Sequence, residues 1–106
     1  MNIQQMMKQA QVMQQRMEQM QERLGDMEVD GTAGGGMVNI VMTCKGEVRK
    51  VSIKPEIINP DDRETLEDLV LAALNMAKQK ADATLAEETR KMMADMGMPG
   101  DMKLPF

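Results

Sequence analysis

The chain has 106 residues and a formal net charge of -4, from 13 Lys and Arg against 17 Asp and Glu, with one cysteine and no histidine. That length suits one domain over residues 1–106 with a modest core, and part of its stability is expected from a partner subunit. The counts exclude an intrachain disulfide and a zinc site of Cys and His, and they leave a catalytic thiol without an imidazole base. Phe106 is the only aromatic residue, which argues against RNA modules that stack bases on aromatic rings. The acidic balance argues against wholesale coating of nucleic acid but leaves room for local basic patches.

Residues 2 to about 26 read as one helix, rich in Gln, Met, Lys, Arg and Glu and uninterrupted until Gly25. Ile3, Met6, Ala10, Met13, Met17, Met20, Leu24 and Met27 follow one another at steps of three and four. This is a heptad seam, narrower than the face of a helix lying on a globular core, and it suits packing against one other helix. Met13, Met17, Met20 and Leu24, its inner half, are the expected dimer-packing residues. Glutamines cover the other faces and keep them wet without strong charge.

From residue 28 the period changes to two. Residues 28–33 read as a short strand and Gly34-Gly-Gly36 as a turn. Residues 37–44 form a second strand with Val38, Ile40, Met42 and Cys44 on one face. Lys45-Gly46 marks a hairpin, and residues 47–54 form a third strand with Val51 and Ile53 on its apolar side. The expected product is a small antiparallel meander whose greasy face and open edges need covering. Cys44 reads as a small buried hydrophobe within it.

Asn59-Pro60-Asp61-Asp62-Arg63-Glu64 is a helix start, with Asp61 and Glu64 at capping-box spacing. The second long helix runs to about residue 96, with Leu66, Val70, Ala73, Leu74, Ala77, Ala81 and Leu85 as its apolar stripe. Gly97 and Pro99 end it, and residues 97–106 read as a mobile tail. Both helices exceed what so small a sheet can cover. The surplus length is expected to project, and dimerisation is the economical way to cover its apolar residues.

No carboxylate pair, phosphate-binding glycine loop or metal-ligand cluster emerges, so the chain reads as a non-enzyme that needs no cofactor. No apolar run approaches the length of a membrane span. A cytoplasmic location follows, with no membrane partner. Charge is unevenly placed: residues 1–17 carry Lys8 and Arg16 and no acid, while Lys78, Lys80, Arg90 and Lys91 lie along the last helix. In a dimer, two basic projections can straddle a duplex and hold its phosphates.

The layout resembles the YbaB/EbfC family of bacterial nucleoid-associated proteins. Met6-Met-Lys-Gln-Ala-Gln11, Gly34-Gly-Gly-Met-Val38, Val48-Arg-Lys-Val-Ser-Ile-Lys-Pro55, Leu66-Glu-Asp-Leu-Val70 and Met102-Lys-Leu-Pro-Phe106 carry the resemblance, in order and spacing. It implies an α+β fold with a long N-terminal helix, a small antiparallel three-stranded sheet and a long C-terminal helix. It implies a homodimer with paired sheets and projecting helices that bind double-stranded DNA in the nucleoid, with a role in compaction or gene regulation. Carried onto this chain, the contacts fall to Lys8, Arg16, Lys78, Lys80, Arg90 and Lys91. The rival expectation is a protein-interaction adaptor whose Met-rich seam receives other proteins.

Overall fold

The computed structural model describes residues 2–97, so the expected tail, apart from Gly97, lies outside the described residues. The elements follow in the order α1 (Ile3–Asp26), β1 (Glu28–Ala33), β2 (Val38–Thr43), β3 (Val48–Ile53) and α2 (Arg63–Asp95). Two short 3-10 turns, Pro55–Ile57 and Pro60–Asp62, lead into α2. The Asn2 side chain starts α1 by accepting the Gln5 amide at 2.8 Å. The expected box between Asp61 and Glu64 is not formed. Asn59 instead accepts the Asp61 amide at 3.0 Å, and Asp62 accepts the Thr65 hydroxyl at 2.7 Å. The 3-10 turn tightens the entry and moves the capping function upstream of Asp61.

The sheet is antiparallel in the order β1-β2-β3, as the alternation predicts. Gly34, Gly35 and Gly36 all have positive φ in the turn between β1 and β2, a run that side-chain-bearing residues rarely sustain. Opposite residues of an antiparallel pair share a face. Val38, Ile40 and Met42 of β2 therefore align with Val29, Gly31 and Ala33 of β1, and with Val48, Val51 and Ile53 of β3. A bulge between Val41 and Met42 shifts the register near the β2–β3 turn.

That face is the floor of the core. Val38, Ile40 and Met42 are buried against Ala73, Ala77 and Ala81 of α2, with Leu66, Val70 and Leu74 packed alongside. Three alanines at four-residue spacing give α2 a thin side, so its backbone comes close to the sheet. At Gly31 the approach is closest. A Cβ there would fall inside the contact radius of the Ala73 carbonyl oxygen and lie 2.5 Å from the Ala77 amide nitrogen.

α2 lies chiefly over β1 and β2. β3 is left partly bare: Val51 is 52% exposed although it lies on the apolar face, as expected, opposite the fully buried Ile40.

A second cluster joins the two helices where α2 runs past the sheet. Met20, Leu24, Cys44, Met92 and Met93 are buried together, with Met17, Met27 and Leu85 around them. Arg23 donates to Glu88 at 2.9 Å, Met20 meets Thr89, and Val12 and Met96 line one groove. Rising numbers on one helix meet falling numbers on the other, so the helices cross antiparallel. The expected seam thus divides. Met20 and Leu24 are buried by α2 of the same chain, Met13 and Met17 are half-buried, and Ile3 and Met6 stand in solvent. The molecule is long in consequence, 69 × 22 × 17 Å.

Candidate functional site

α1 is about 36 Å long at 1.5 Å per residue. Only its inner end is held by the joint with α2, so the outer half extends as an arm. Exposed Ile3, Met6, Met7 and Val12 are distributed around it. Gln5, Lys8, Gln9, Val12 and Arg16 fall within an arc of about 100° on one side of the helix. Together with Met96 they line an open groove of about 580 Å³. This groove is beside the seam, not on it. The spacing of its residues was readable from the sequence, and Lys8 and Arg16 stand out there by charge as well.

The six candidate cations divide sharply. Lys8 and Arg16 enter no ion pair among the described residues, and no acid occurs before Glu18. The four on α2 all have carboxylate neighbours. Lys78 binds Asp82 at 3.0 Å one helical turn on, and Lys80 faces Asp30 of β1 at 3.8 Å. Arg90 holds Glu87 through two hydrogen bonds of 2.6 and 3.1 Å, and Lys91 stands 4.0 Å from Glu88. The Arg90 hydrogen bond keeps the Glu87 carboxyl below its ordinary pKa, and Glu87 in turn raises that of Arg90. Both groups are fully charged at neutral pH. Arg90 is thus held by a formed carboxylate pair, whereas Lys8 and Arg16 have no carboxylate partner among the described residues.

The candidates do not form one cluster. Lys78 borders a depression with Lys45, Gly46 and Asp82 beside the β2–β3 turn, whereas Lys8 and Arg16 are on the arm. Lys45, Lys50 and Lys54 also enter no ion pair among the described residues, and sequence reasoning did not select them. Among the described residues there is no group of three or more His, Cys, Asp or Glu able to hold a metal ion. No described helix is long and apolar enough to cross a membrane.

The bare side of the sheet is the second notable surface. β3 is an edge strand with unpaired backbone groups on its outer side. Its helix-side residues Val48 and Val51 are 43% and 52% exposed, and Leu71 and Ile58 are exposed on α2 and in the loop before it.

Comparison with known proteins gives a consistent result. The family model described as the YbaB/EbfC DNA-binding family matches residues 1–96. Among solved structures, the chain is similar to the uncharacterized protein HP0035 from Helicobacter pylori. The TM-score is 0.71 at 25% sequence identity, covering 90% of this chain and 95% of that one.

Proposed function

Because the chain belongs to the YbaB/EbfC DNA-binding family, we propose that it acts as a homodimer whose α1 arms grip double-stranded DNA. Its role is that of a nucleoid-associated protein in compaction or gene regulation. The observation that carries this reading is the contrast among the cations. Among the described residues Lys8 and Arg16 enter no ion pair and lie on the stretch of α1 that precedes its first acid, Glu18, while the α2 cations all have carboxylate neighbours. Of the six candidates, Lys8 and Arg16 are therefore the primary phosphate contacts. Lys78 and Arg90 contribute less, because each must first exchange a hydrogen-bonded carboxylate for a phosphate, while Lys80 and Lys91 are only loosely held, 3.8 and 4.0 Å from theirs.

The dimer forms through β3. Its open edge and the adjoining Val48 and Val51 offer both backbone hydrogen bonds and apolar area to a second copy, which closes the edge and covers the bare sheet. Half-buried Met13 and Met17 supply packing area near the arm's root.

A duplex titration followed by fluorescence anisotropy between about 50 and 200 mM salt tests the reading. Affinity falls steeply as salt rises. Each phosphate contact contributes about 0.9 to the log–log slope, so the Lys8→Ala, Arg16→Ala double variant, four charges per dimer, flattens it by up to about 3.6. A salt-independent affinity, or an unchanged slope in the variant, refutes the clamp. One observation favours the adaptor reading: Ile3, Met6 and Met7 are 56–75% exposed on the arm, a soft apolar surface that a partner helix can cover. Loss of that exposure in the free homodimer would remove its basis.

A further inference from the structure

Phosphate contacts alone leave unexplained why the arm's groove side combines two glutamines and a valine with its two cations. Val12 is 40% exposed and belongs to neither buried cluster; among the described residues only Met96 of the α2 end shares its groove. The side chains of Gln5 and Gln9 make no hydrogen bond with the described protein; Gln5 contributes only its backbone amide, to Asn2. Each therefore presents a free carboxamide carrying both donor and acceptor, on the same side of the helix as Lys8 and Arg16.

We infer that the Gln5–Gln9–Val12 face of α1 reads A·T base pairs in the major groove of the bound duplex. The inference rests on the arm–duplex reading above and adds sequence selectivity to it. A helix with its side chains is about 10–12 Å across, and the major groove of B-DNA is about 12 Å wide. The arm's residues from Ile3 to Val12 are all exposed, and among the described residues the end of α2 reaches the groove side only with Met96. Glutamine pairs bidentately with adenine by accepting from N6–H and donating to N7, and an apolar side chain packs on the thymine methyl. Gln5 and Gln9 are separated by a rise of about 6 Å, close to the ~6.8 Å of two base-pair steps, so both can engage one stack. Lys8 lies at one edge of this face, and Arg16 is about two turns past Gln9 along the axis, so the two cations reach phosphates beside and beyond the stretch that the glutamines face. No carboxylate is present in residues 1–17 to accept from cytosine N4.

The test compares two duplexes of equal length, one of A·T pairs and one of G·C pairs, by anisotropy at fixed salt. A third duplex carries 7-deazaadenine, which removes the N7 acceptor and leaves Watson–Crick pairing intact. The protein binds the A·T duplex at least about five-fold more tightly, and 7-deazaadenine abolishes that margin. Gln5→Ala and Gln9→Ala also lose it while keeping the salt slope of the parent, which a general loss of folding would not allow. Equal affinity for A·T and G·C, or a preference that survives 7-deazaadenine, overturns the inference. If binding is nonetheless salt-sensitive, the phosphate clamp stands alone. No binding to any duplex overturns both.

Discussion

Replacing Gly31 by alanine adds one methyl group at the point where α2 comes nearest the sheet. Its carbon would overlap the Ala73 carbonyl oxygen and lie 2.5 Å from the Ala77 nitrogen and 3.0 Å from the Ala77 Cβ. Two of those three atoms are helix backbone, so no rotamer change relieves the clash. α2 must lift by about 1 Å to restore ordinary contact. A gap of 0.5–1 Å forfeits roughly a quarter to a half of each dispersion well, and the loss spreads along the row of Ala73, Ala77 and Ala81 over Val38, Ile40 and Met42. Overpacking in ordinary cores costs about 1–3 kcal/mol, and a clash with rigid backbone falls at or above the top of that range. For a domain of this size about 3 kcal/mol corresponds to a fall in Tm of ~12–24 °C. Thermal unfolding by far-UV circular dichroism, at equal protein concentration because a dimer's Tm depends on it, reads the effect. Gly35→Ala is the control, since a Cβ there meets nothing within 4 Å and carries only the strain of its positive φ. A Gly31→Ala variant within about 0.5 kcal/mol of the parent would show that the helix is not held down at this point.

Two further outcomes follow from the surfaces. Val51→Glu sets a charge on the bare β3 face, where the chain alone leaves 52% of Val51 in water. The subunit keeps its circular dichroism spectrum, while its dimer dissociation constant in sedimentation equilibrium rises by about 100-fold or more, the effect of an unpaired charge worth about 3 kcal/mol; an unchanged constant would rule out the β3 interface. With no histidine in the chain, DNA affinity at constant ionic strength stays flat between about pH 5.5 and 7. The Glu87–Arg90 pair persists throughout that window. Because hydrogen bonding to Arg90 lowers the Glu87 pKa below 4.5, the pair is lost only as pH falls through that depressed value. A change of more than a few-fold inside the window would contradict this assignment of charges.

Much of the fold was legible in the sequence because it rests on local periodicity. Alternation in residues 37–44 identified the buried face of β2, and the spacing from Leu66 to Leu85 identified the side of α2 that meets it. What periodicity cannot encode is the identity of a distant partner. The seam of α1 announced that Met20 and Leu24 pack against a helix, but not that α2 of the same chain supplies it. That follows from α2 running past the sheet to bring Met92 and Met93 alongside. The candidate site shows the same division. Lys78–Asp82 and Arg90–Glu87 are three- and four-residue pairs readable on paper, whereas Lys80–Asp30 and Arg23–Glu88 join separate elements. Gly31 looked like an ordinary short-strand residue until the helix above it was in place.

The methionine joint between the helices has a mechanical consequence. Unbranched thioether side chains repack at low cost, so Met17, Met20, Met92 and Met93 form a compliant pivot rather than a rigid weld. Ile3 is about 21 Å beyond that pivot, measured as 14 residues of helix rise. A rocking of about 10° displaces the tip by about 4 Å, close to the ~3.4 Å rise between neighbouring nucleotides. The lever thus magnifies any repacking among these sulfur atoms at the far end of the arm.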